Sequence, residues 1–325
     1  MEALIFDTHR GTSHDGEGLR TTFFFQGCPL RCKWCHNPEG IPPEPYIKWD
    51  ARKCIGCHTC VKVCPGKFLE FTEKGLGIDR ARCSRCGICA KRCPSKALQI
   101  SARVWTVDEL TAYALKDKHF YDAFNGGVTF SGGEAALHVP FIIEAAKQLH
   151  AAGVNTALDT SGYCSPEVFE PVFLSFDCVL FDIKTADNDL HKKFTGTGNE
   201  PVLKNLDRLV LKKRNGEYTG ELWIRTPIVP NATDTEENIL SIAKIVKTRR
   251  DTIGRWELCA FNNMCKDKYR SLGLEWEYME TDLLPDIRMR ELLQIAEKEI
   301  GGGVPVVSTG LTAKERIMIE KDTFG

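Results

Sequence analysis

Along most of the chain, short apolar runs alternate with longer stretches whose apolar residues recur at helical spacing. Phe23-Phe24-Phe25, entered from Thr21-Thr22, reads as a short buried strand, and Gln26-Gly27 turns the chain out of it. After residue 103 the alternation becomes regular. Helices are predicted over residues 107–124, 138–152, 202–213 and 236–249, and strands at 128–130, 156–158, 179–181, 222–224 and 256–258. With 23–25 that makes six strands at the spacing of βα units, and residues 304–307 add a late one.

Between residues 46 and 103 this pattern gives way to cysteines. Cys54-x2-Cys57-x2-Cys60-x3-Cys64-Pro65 is followed by Cys83-x2-Cys86-x2-Cys89-x3-Cys93-Pro94, the repeated run of bacterial two-cluster ferredoxins. In that pattern the fourth cysteine of each run crosses to the other cluster. Cys54, Cys57, Cys60 and Cys93 are therefore assigned to one 4Fe-4S cluster, and Cys83, Cys86, Cys89 and Cys64 to a second. The apolar pieces at 46–47, 68–71 and 98–100 supply small strands. So small a unit has little core, and the clusters hold it together. It serves either as an electron relay or as a metal-stapled docking platform.

A third group, Cys28-x3-Cys32-x2-Cys35, follows the first strand. It offers a cubane cluster three thiolates and leaves one iron open, as a catalytic site requires; the alternatives are a zinc knuckle or three buried cysteines. If the strands form a barrel, polar residues just beyond their ends converge on one face. Candidates are Ser131-Gly132-Gly133-Glu134, Asp159-Thr160-Ser161-Gly162, Asp182-Ile183-Lys184, Arg225 and Asn262. Two carboxylates and a lysine at adjacent strand ends suit a ligand carrying both ammonium and carboxylate, or a cation.

Composition narrows the setting. Of 325 residues, 42% are hydrophobic, enough for one large α/β domain with a small insertion. Forty-three basic against 44 acidic residues leave a net charge of -1, which points to neither nucleic acid nor a membrane surface. The chain begins without a basic or long apolar segment, so a cytoplasmic location is expected. Eleven of the 15 cysteines fall in metal-like spacing between Cys28 and Cys93, which implies a reducing, anaerobic setting rather than disulfides. Cys164, Cys178, Cys259 and Cys265 read as buried small hydrophobes.

A strand followed by C-x3-C-x-aromatic-C, with Trp34 as the aromatic, resembles the signature of the radical S-adenosylmethionine superfamily. Asp15-Gly16-Glu17-Gly18-Leu19-Arg20 before it and Cys35-His36-Asn37 at its end resemble the activating enzymes of glycyl radical enzymes, typified by pyruvate formate-lyase activase, in the subgroup with a ferredoxin-like insert. The resemblance implies an incomplete (β/α)6 barrel of residues 1–45 and 104–325, interrupted by an α+β insertion at 46–103. It implies three 4Fe-4S clusters and S-adenosyl-L-methionine, contacted by Trp34, Gly132, Gly133, Glu134, Lys184, Arg225 and Asn262. It also implies a monovalent cation, sodium or potassium, at Asp159, Thr160 and Asp182, and reception of a partner loop by Asp15, Gly16, Gly18 and Arg20. His36 becomes a loop-orienting neighbour rather than a ligand.

The implied activity is an oxidoreductase's: reductive cleavage of S-adenosylmethionine to a 5'-deoxyadenosyl radical, which takes hydrogen from a backbone glycine of a glycyl radical enzyme. A monomer supplied with electrons by flavodoxin or ferredoxin is expected. Three positions depart from the family pattern. Ala135 stands for the usual proline, Asn231 for a frequent glycine and Asn262 for a ribose-contacting histidine. The rival readings are a sulfatase-maturing radical enzyme and a plain electron carrier.

Overall fold

The computed structural model describes residues 1–314; residues 315–325, the end of the third expected segment, lie outside the described residues. The chain opens with β1 (Glu2–Thr12) and β2 (Arg20–Phe25) and then enters the insertion. That unit comprises β3 (Ile47–Trp49), α1 (Thr59–Val63), β4 (Leu69–Thr72), β5 (Gly75–Ile78), α2 (Ile88–Lys91) and β6 (Leu98–Ile100). The main unit resumes with β7 (Arg103–Thr106), α3 (Val107–Ala114), α4 (Lys118–Phe124), β8 (Gly127–Gly132), α5 (Val139–Ala151), β9 (Asn155–Thr160), α6 (Pro166–Phe173) and β10 (Cys178–Asp182). It ends with α7 (Asn188–Thr195), α8 (Glu200–Arg214), β11 (Glu221–Ile228), α9 (Glu236–Lys247), β12 (Arg255–Ala260), α10 (Lys266–Leu272), α11 (Asp286–Ile300) and β13 (Val306–Thr309).

This is a mixed α/β fold. Its main sheet has the order β13-β12-β11-β10-β9-β8-β2-β1-β7. From β2 to β13 every neighbouring pair is parallel, whereas β1 runs antiparallel to β2 and β7 antiparallel to β1. Each new parallel strand joins on the same side as the last, so right-handed crossovers place the helices on one face. The two edge strands, β13 and β7, do not pair, and the sheet stays open.

Period-two alternation divides each strand between two environments. Phe23, Phe25, Val128, Phe130, Leu158, Val179, Phe181, Leu222, Ile224, Trp256 and Leu258 point into the large core beneath the helices. The residues between them face the other way. Near the strand beginnings these are apolar, a small cluster of Ala157, Cys178, Leu180 and Trp223. Toward the C-terminal ends they become Ser131, Asp159, Asp182, Arg225, Glu257 and Cys259, and this polar ending is where the candidate site forms.

Three elements differ from expectation. The helix predicted over 107–124 is broken by a 3-10 turn at Leu115–Asp117. The break turns Asp117 inward, where its carboxylate accepts from Arg10 Nε at 2.7 Å and from the Thr21 hydroxyl at 3.0 Å. β1 and β7 carry too mixed a sequence to have shown themselves. Two helices in stretches with no sequence assignment, α7 and α11, are conventionally capped, by Asp187 accepting from Leu190 N at 2.7 Å and by Gly301 in the left-handed region.

The insertion is a twofold repeat with an offset of 29 residues. Its core consists of Ile47 and Leu76, Cys60 and Cys89, Leu69 and Leu98, three pairs at that offset. β3 pairs with β6 and β4 with β5, so the two small sheets are mates under the same repeat. Left-handed backbone recurs with it, at Gly56 and Arg85, His58 and Gly87, Lys67 and Lys96.

Candidate functional site

The turn out of β2 places the cysteine loop at the C-terminal end of the sheet. Gly27 takes φ +95°, its N–H donates to Gly40 O at 2.8 Å, and Cys28 N donates to Ile41 O at 3.0 Å. On its other flank the loop is stitched to the end of α7, Arg31 N to Thr195 O at 2.7 Å and Lys33 N to Phe194 O at 3.0 Å. Side chains of the α10 region hold its far end. Tyr269 OH donates to Cys35 O at 2.9 Å and Trp276 Nε1 to Lys33 O at 2.9 Å. Trp34 is buried among Phe194, Phe261, Tyr269 and Trp276, so the loop rests on an aromatic bed.

Behind the loop runs the Gly132-Gly133 segment. Gly132 has φ +114°, and a Cβ there would stand 2.3 Å from Phe25 N; one on Gly133 would stand 2.2 Å from Gly27 O. Both glycines are thus required by backbone packed against the cysteine loop. Glu134 N donates to Gly27 O at 2.8 Å, completing the seam.

Over the loop opens a cavity of about 460 Å³, within the size range of small-molecule sites. Its wall includes Cys28, Cys32, Cys35, Trp34, Gly132, Gly133, Asp159, Thr160, Asp182, Lys184, Arg225, Asn262 and Asp15, which the sequence had singled out from distant segments. Glu134 is not brought there. It is 1% exposed, and its carboxylate accepts from the Thr160 hydroxyl at 2.7 Å and from Ser161 N at 2.9 Å; burial still pushes its pKa up. Nor are Gly16, Gly18 and Arg20. Arg20 is 1% exposed beneath the sheet end, donating to the Thr129 hydroxyl at 2.7 Å and to Val128 O at 2.9 Å.

The charges along the cavity wall are paired. Lys184 Nζ lies 2.6 Å from Asp182 Oδ2, and Arg225 Nη1 lies 3.2 Å from Asp159 Oδ1. Burial opposes the Lys184 charge, but Asp182 and the neighbouring Cys32 outweigh it and hold the ammonium protonated. Burial likewise opposes Arg225, and Cys259, Asp159 and Asp182 keep it charged. Asp159 is pushed up to about 6, by burial first, against the pull of Arg225. Asp159 and Thr160 have further partners: Asp159 also accepts from the Ser131 hydroxyl at 2.6 Å, and the Thr160 hydroxyl donates to Glu134 at 2.7 Å. Asn262 lines the mouth and its side chain accepts from Met264 N at 3.1 Å. Asn231 does adopt the left-handed region, at φ 60°.

The donor set suits iron-sulfur clusters. All 15 cysteines are free, and among the described residues no three His, Cys, Asp or Glu side chains converge tightly enough to hold a single metal ion. Cys28, Cys32 and Cys35 are nevertheless near enough to feel one another's charge; burial pushes Cys28 up to about 12 and raises Cys32 and Cys35. Thiols spread around a volume rather than aimed at a point fit a cubane, in which each thiolate takes a different iron. In the insertion, burial raises Cys60 beside Cys54 and Cys57, and Cys93 lies near Cys57. Cys89, pushed up to about 11 by burial, has Cys83, Cys86 and Cys64 as neighbours.

Several contributors escaped the sequence reading. Cys259, expected as a buried small hydrophobe, is only half-buried and lines the cavity, and Glu257 braces the wall; Arg225 Nε stands 3.4 Å from Glu257 Oε2 yet off the line of a hydrogen bond, a buried donor left free. Glu39, 1% exposed, sits between Lys268 Nζ at 3.0 Å and Lys48 Nζ at 3.7 Å, linking the cysteine loop, α10 and the insertion. The sequence carried no signal for it, since it lies just beyond the Cys35-His36-Asn37 segment that was singled out.

Comparison with known proteins agrees with this anatomy. Residues 53–97 match a family described as a 4Fe-4S dicluster domain. The 4-hydroxyphenylacetate decarboxylase activating enzyme of Clostridioides difficile is 34% identical over 301 residues, 91% of this chain and 93% of that one. The (2S)-3-sulfopropanediol dehydratase activating enzyme of Klebsiella oxytoca is 36% identical over 280 residues, covering 84% and 86%. The trans-4-hydroxy-L-proline dehydratase activating enzyme of C. difficile is 34% identical over 299 residues, covering 91% and 97%. A mixed α/β enzyme with a dicluster domain is thus the class that fold and likeness define. Within it, the chain belongs to the family of glycyl radical enzyme activating enzymes.

Proposed function

We propose that Cys28, Cys32 and Cys35 hold a 4Fe-4S cluster with one open iron, and that S-adenosylmethionine occupies the adjoining cavity. The observation that carries this is a cavity walled at once by three thiols, a half-buried ammonium and a half-buried guanidinium beside two carboxylates. Lys184 supplies a fixed positive charge to the ligand's carboxylate, and Asp159 or Asp182 faces its sulfonium or ammonium. Trp34, Gly132 and Gly133 fix the walls, and Asn262 meets the nucleoside end at the mouth. Glu134 acts by bracing the Thr160-Ser161 turn, and Arg20 by anchoring the segment that carries Asp15. When bound, the cluster supplies the electron that splits S-adenosylmethionine into methionine and a 5'-deoxyadenosyl radical, which takes hydrogen from the partner's glycine.

In this reading residues 1–45 and the described part of residues 104–325 form an incomplete (β/α)6 barrel, β13 extends its open edge, and residues 46–103 are the insertion with two further clusters. The chain works as a cytoplasmic monomer, receives electrons from a flavodoxin or ferredoxin, and activates a glycyl radical decarboxylase or dehydratase, the kinds named by its relatives. A sodium or potassium ion beside Asp159, Thr160 and Asp182 requires Arg225 or Lys184 to release its carboxylate. The test is anaerobic: reduced protein given S-adenosylmethionine should release 5'-deoxyadenosine and raise a glycyl doublet in the partner by electron paramagnetic resonance. Cys32→Ala should abolish both; undiminished release would refute the assignment of the first cluster.

A further inference from the structure

The near-perfect repeat of the insertion allows its two cysteine sets to be compared position by position. Resting on the reading that each set holds a 4Fe-4S cluster, we infer that the cluster on Cys54, Cys57, Cys60 and Cys93 has the higher reduction potential, set by the hydroxyls of Thr59 and Ser95.

The Thr59 hydroxyl lies 3.3 Å from Cys57 Sγ, and the Ser95 hydroxyl 3.7 Å from Cys93 Sγ. Once the sulfurs are thiolates they have no proton to give, and each hydroxyl is the donor. At the offset of 29 residues the matching positions in the other set are Ile88 and Gly66, which carry no donor. Reduction adds one electron, whose charge spreads onto the thiolate sulfurs. A donor to those sulfurs stabilises the reduced form more than the oxidised one and raises the potential.

The other levers on potential are matched between the sets or act in the same direction. Exposure is equal: Cys57 and Cys86 are both exposed, while Cys60 and Cys89 are buried at 8% and 6%. Main-chain donors reach both sets, from Phe68 N to Cys64 at 3.3 Å and from Leu98, Ala97 and Ser95 to Cys93, the additional ones acting in the same direction as the hydroxyls. Nearby charges are largely neutralised in parallel. Lys53 stands 3.6 Å from Asp50, its counterpart Arg82 stands 2.6 Å from Asp79, and Arg85 is paired with Glu44. An electron entering the module therefore rests on the Cys54 set.

The test uses the full-length chain carrying Cys28→Ala, Cys32→Ala and Cys35→Ala, reconstituted anaerobically and titrated electrochemically with electron paramagnetic resonance as the readout. Two midpoints are expected. Adding Thr59→Val with Ser95→Ala should lower the higher one alone, by about tenfold in the ratio of reduced to oxidised cluster, or about 59 mV for one electron. Ile88→Thr should raise the lower midpoint and narrow the gap. If the paired substitution moves neither midpoint, or moves the lower one, the inference is overturned. Iron analysis separates this from failure of the underlying reading, since two loaded sites give about eight irons per chain and one gives about four.

Discussion

Lys184 shows how a single side chain acquires a role from its neighbours. Desolvation opposes the charge on this half-buried lysine, and Asp182 at 2.6 Å outweighs it. Lys184→Met should leave iron content unchanged while raising the KM for S-adenosylmethionine about tenfold or more, read from 5'-deoxyadenosine release. His138 is a second case. Its Nε2 stands 2.7 Å from Gln26 O, just before the cysteine loop, and burial holds its pKa below the usual value. A depressed histidine stabilises the fold above the ordinary pKa near 6.5, and that contribution is lost as pH falls and the buried ring must charge. Anaerobic melting between pH 7.5 and pH 5, ranges set by that ordinary value, should show a steeper fall for the parent than for His138→Gln. Equal slopes would exclude His138 as the source. The sequence did name Lys184, because a lysine two residues past a strand aspartate is a visible pattern; His138 and Glu257 have no such pattern, being defined by what lies across from them.

Among the elements, the seam between the cysteine loop and the end of β8 is the least forgiving. A methyl group on Gly133 meets backbone on two sides, Gly27 O at 2.2 Å and Gly40 O at 2.7 Å, and backbone cannot rotate away. Gly133→Ala should cost about 1–3 kcal/mol and lower the iron bound by the first site, measured by thermal midpoint and iron content together. The start of α3 offers a milder case. Thr106 accepts from Glu109 N at 3.2 Å while Glu109 returns a carboxylate to Thr106 N at 2.8 Å, a reciprocal cap joining β7 to α3. Thr106→Ala should cost about 1 kcal/mol without altering iron content. The parallel strands were legible because each is a dense apolar run between turn signals. β1 was not, since only three of its eleven residues are buried and it is held in place by pairing with β2 and β7. The break at Leu115–Asp117 was equally hidden, because the pull on Asp117 comes from Arg10 and Thr21, about a hundred residues away.

At the scale of the molecule, Glu39 joins the two units. Its buried carboxylate answers to Lys268 of the main unit and Lys48 of the insertion, and one oxygen still lacks a hydrogen-bond partner. Removing one cation from such a group leaves an undercompensated buried charge. Lys268→Met should destabilise by about 3 kcal/mol, and Glu39→Gln in the same chain should recover much of that loss, as a calorimetric double-mutant cycle would show. Purely additive losses would mean the two do not interact. The surface pair Arg52 and Asp267, 3.2 Å apart and largely exposed, crosses the same boundary and contributes little by comparison. The sequence by itself determined the spacing of the cysteines and the positions of the parallel strands along the chain, because cysteine spacing and apolar runs are local and survive in one dimension. It also determined the repeat, and with it the unequal hydroxyls at Thr59 and Ser95. Only the tertiary structure decided which strand-end residues face the cavity, that Glu134 and Arg20 brace it from behind, and that Glu39 binds the insertion to the cysteine loop. Those outcomes depend on which groups meet across the sheet, and distance in space between remote segments leaves no periodic trace along the chain.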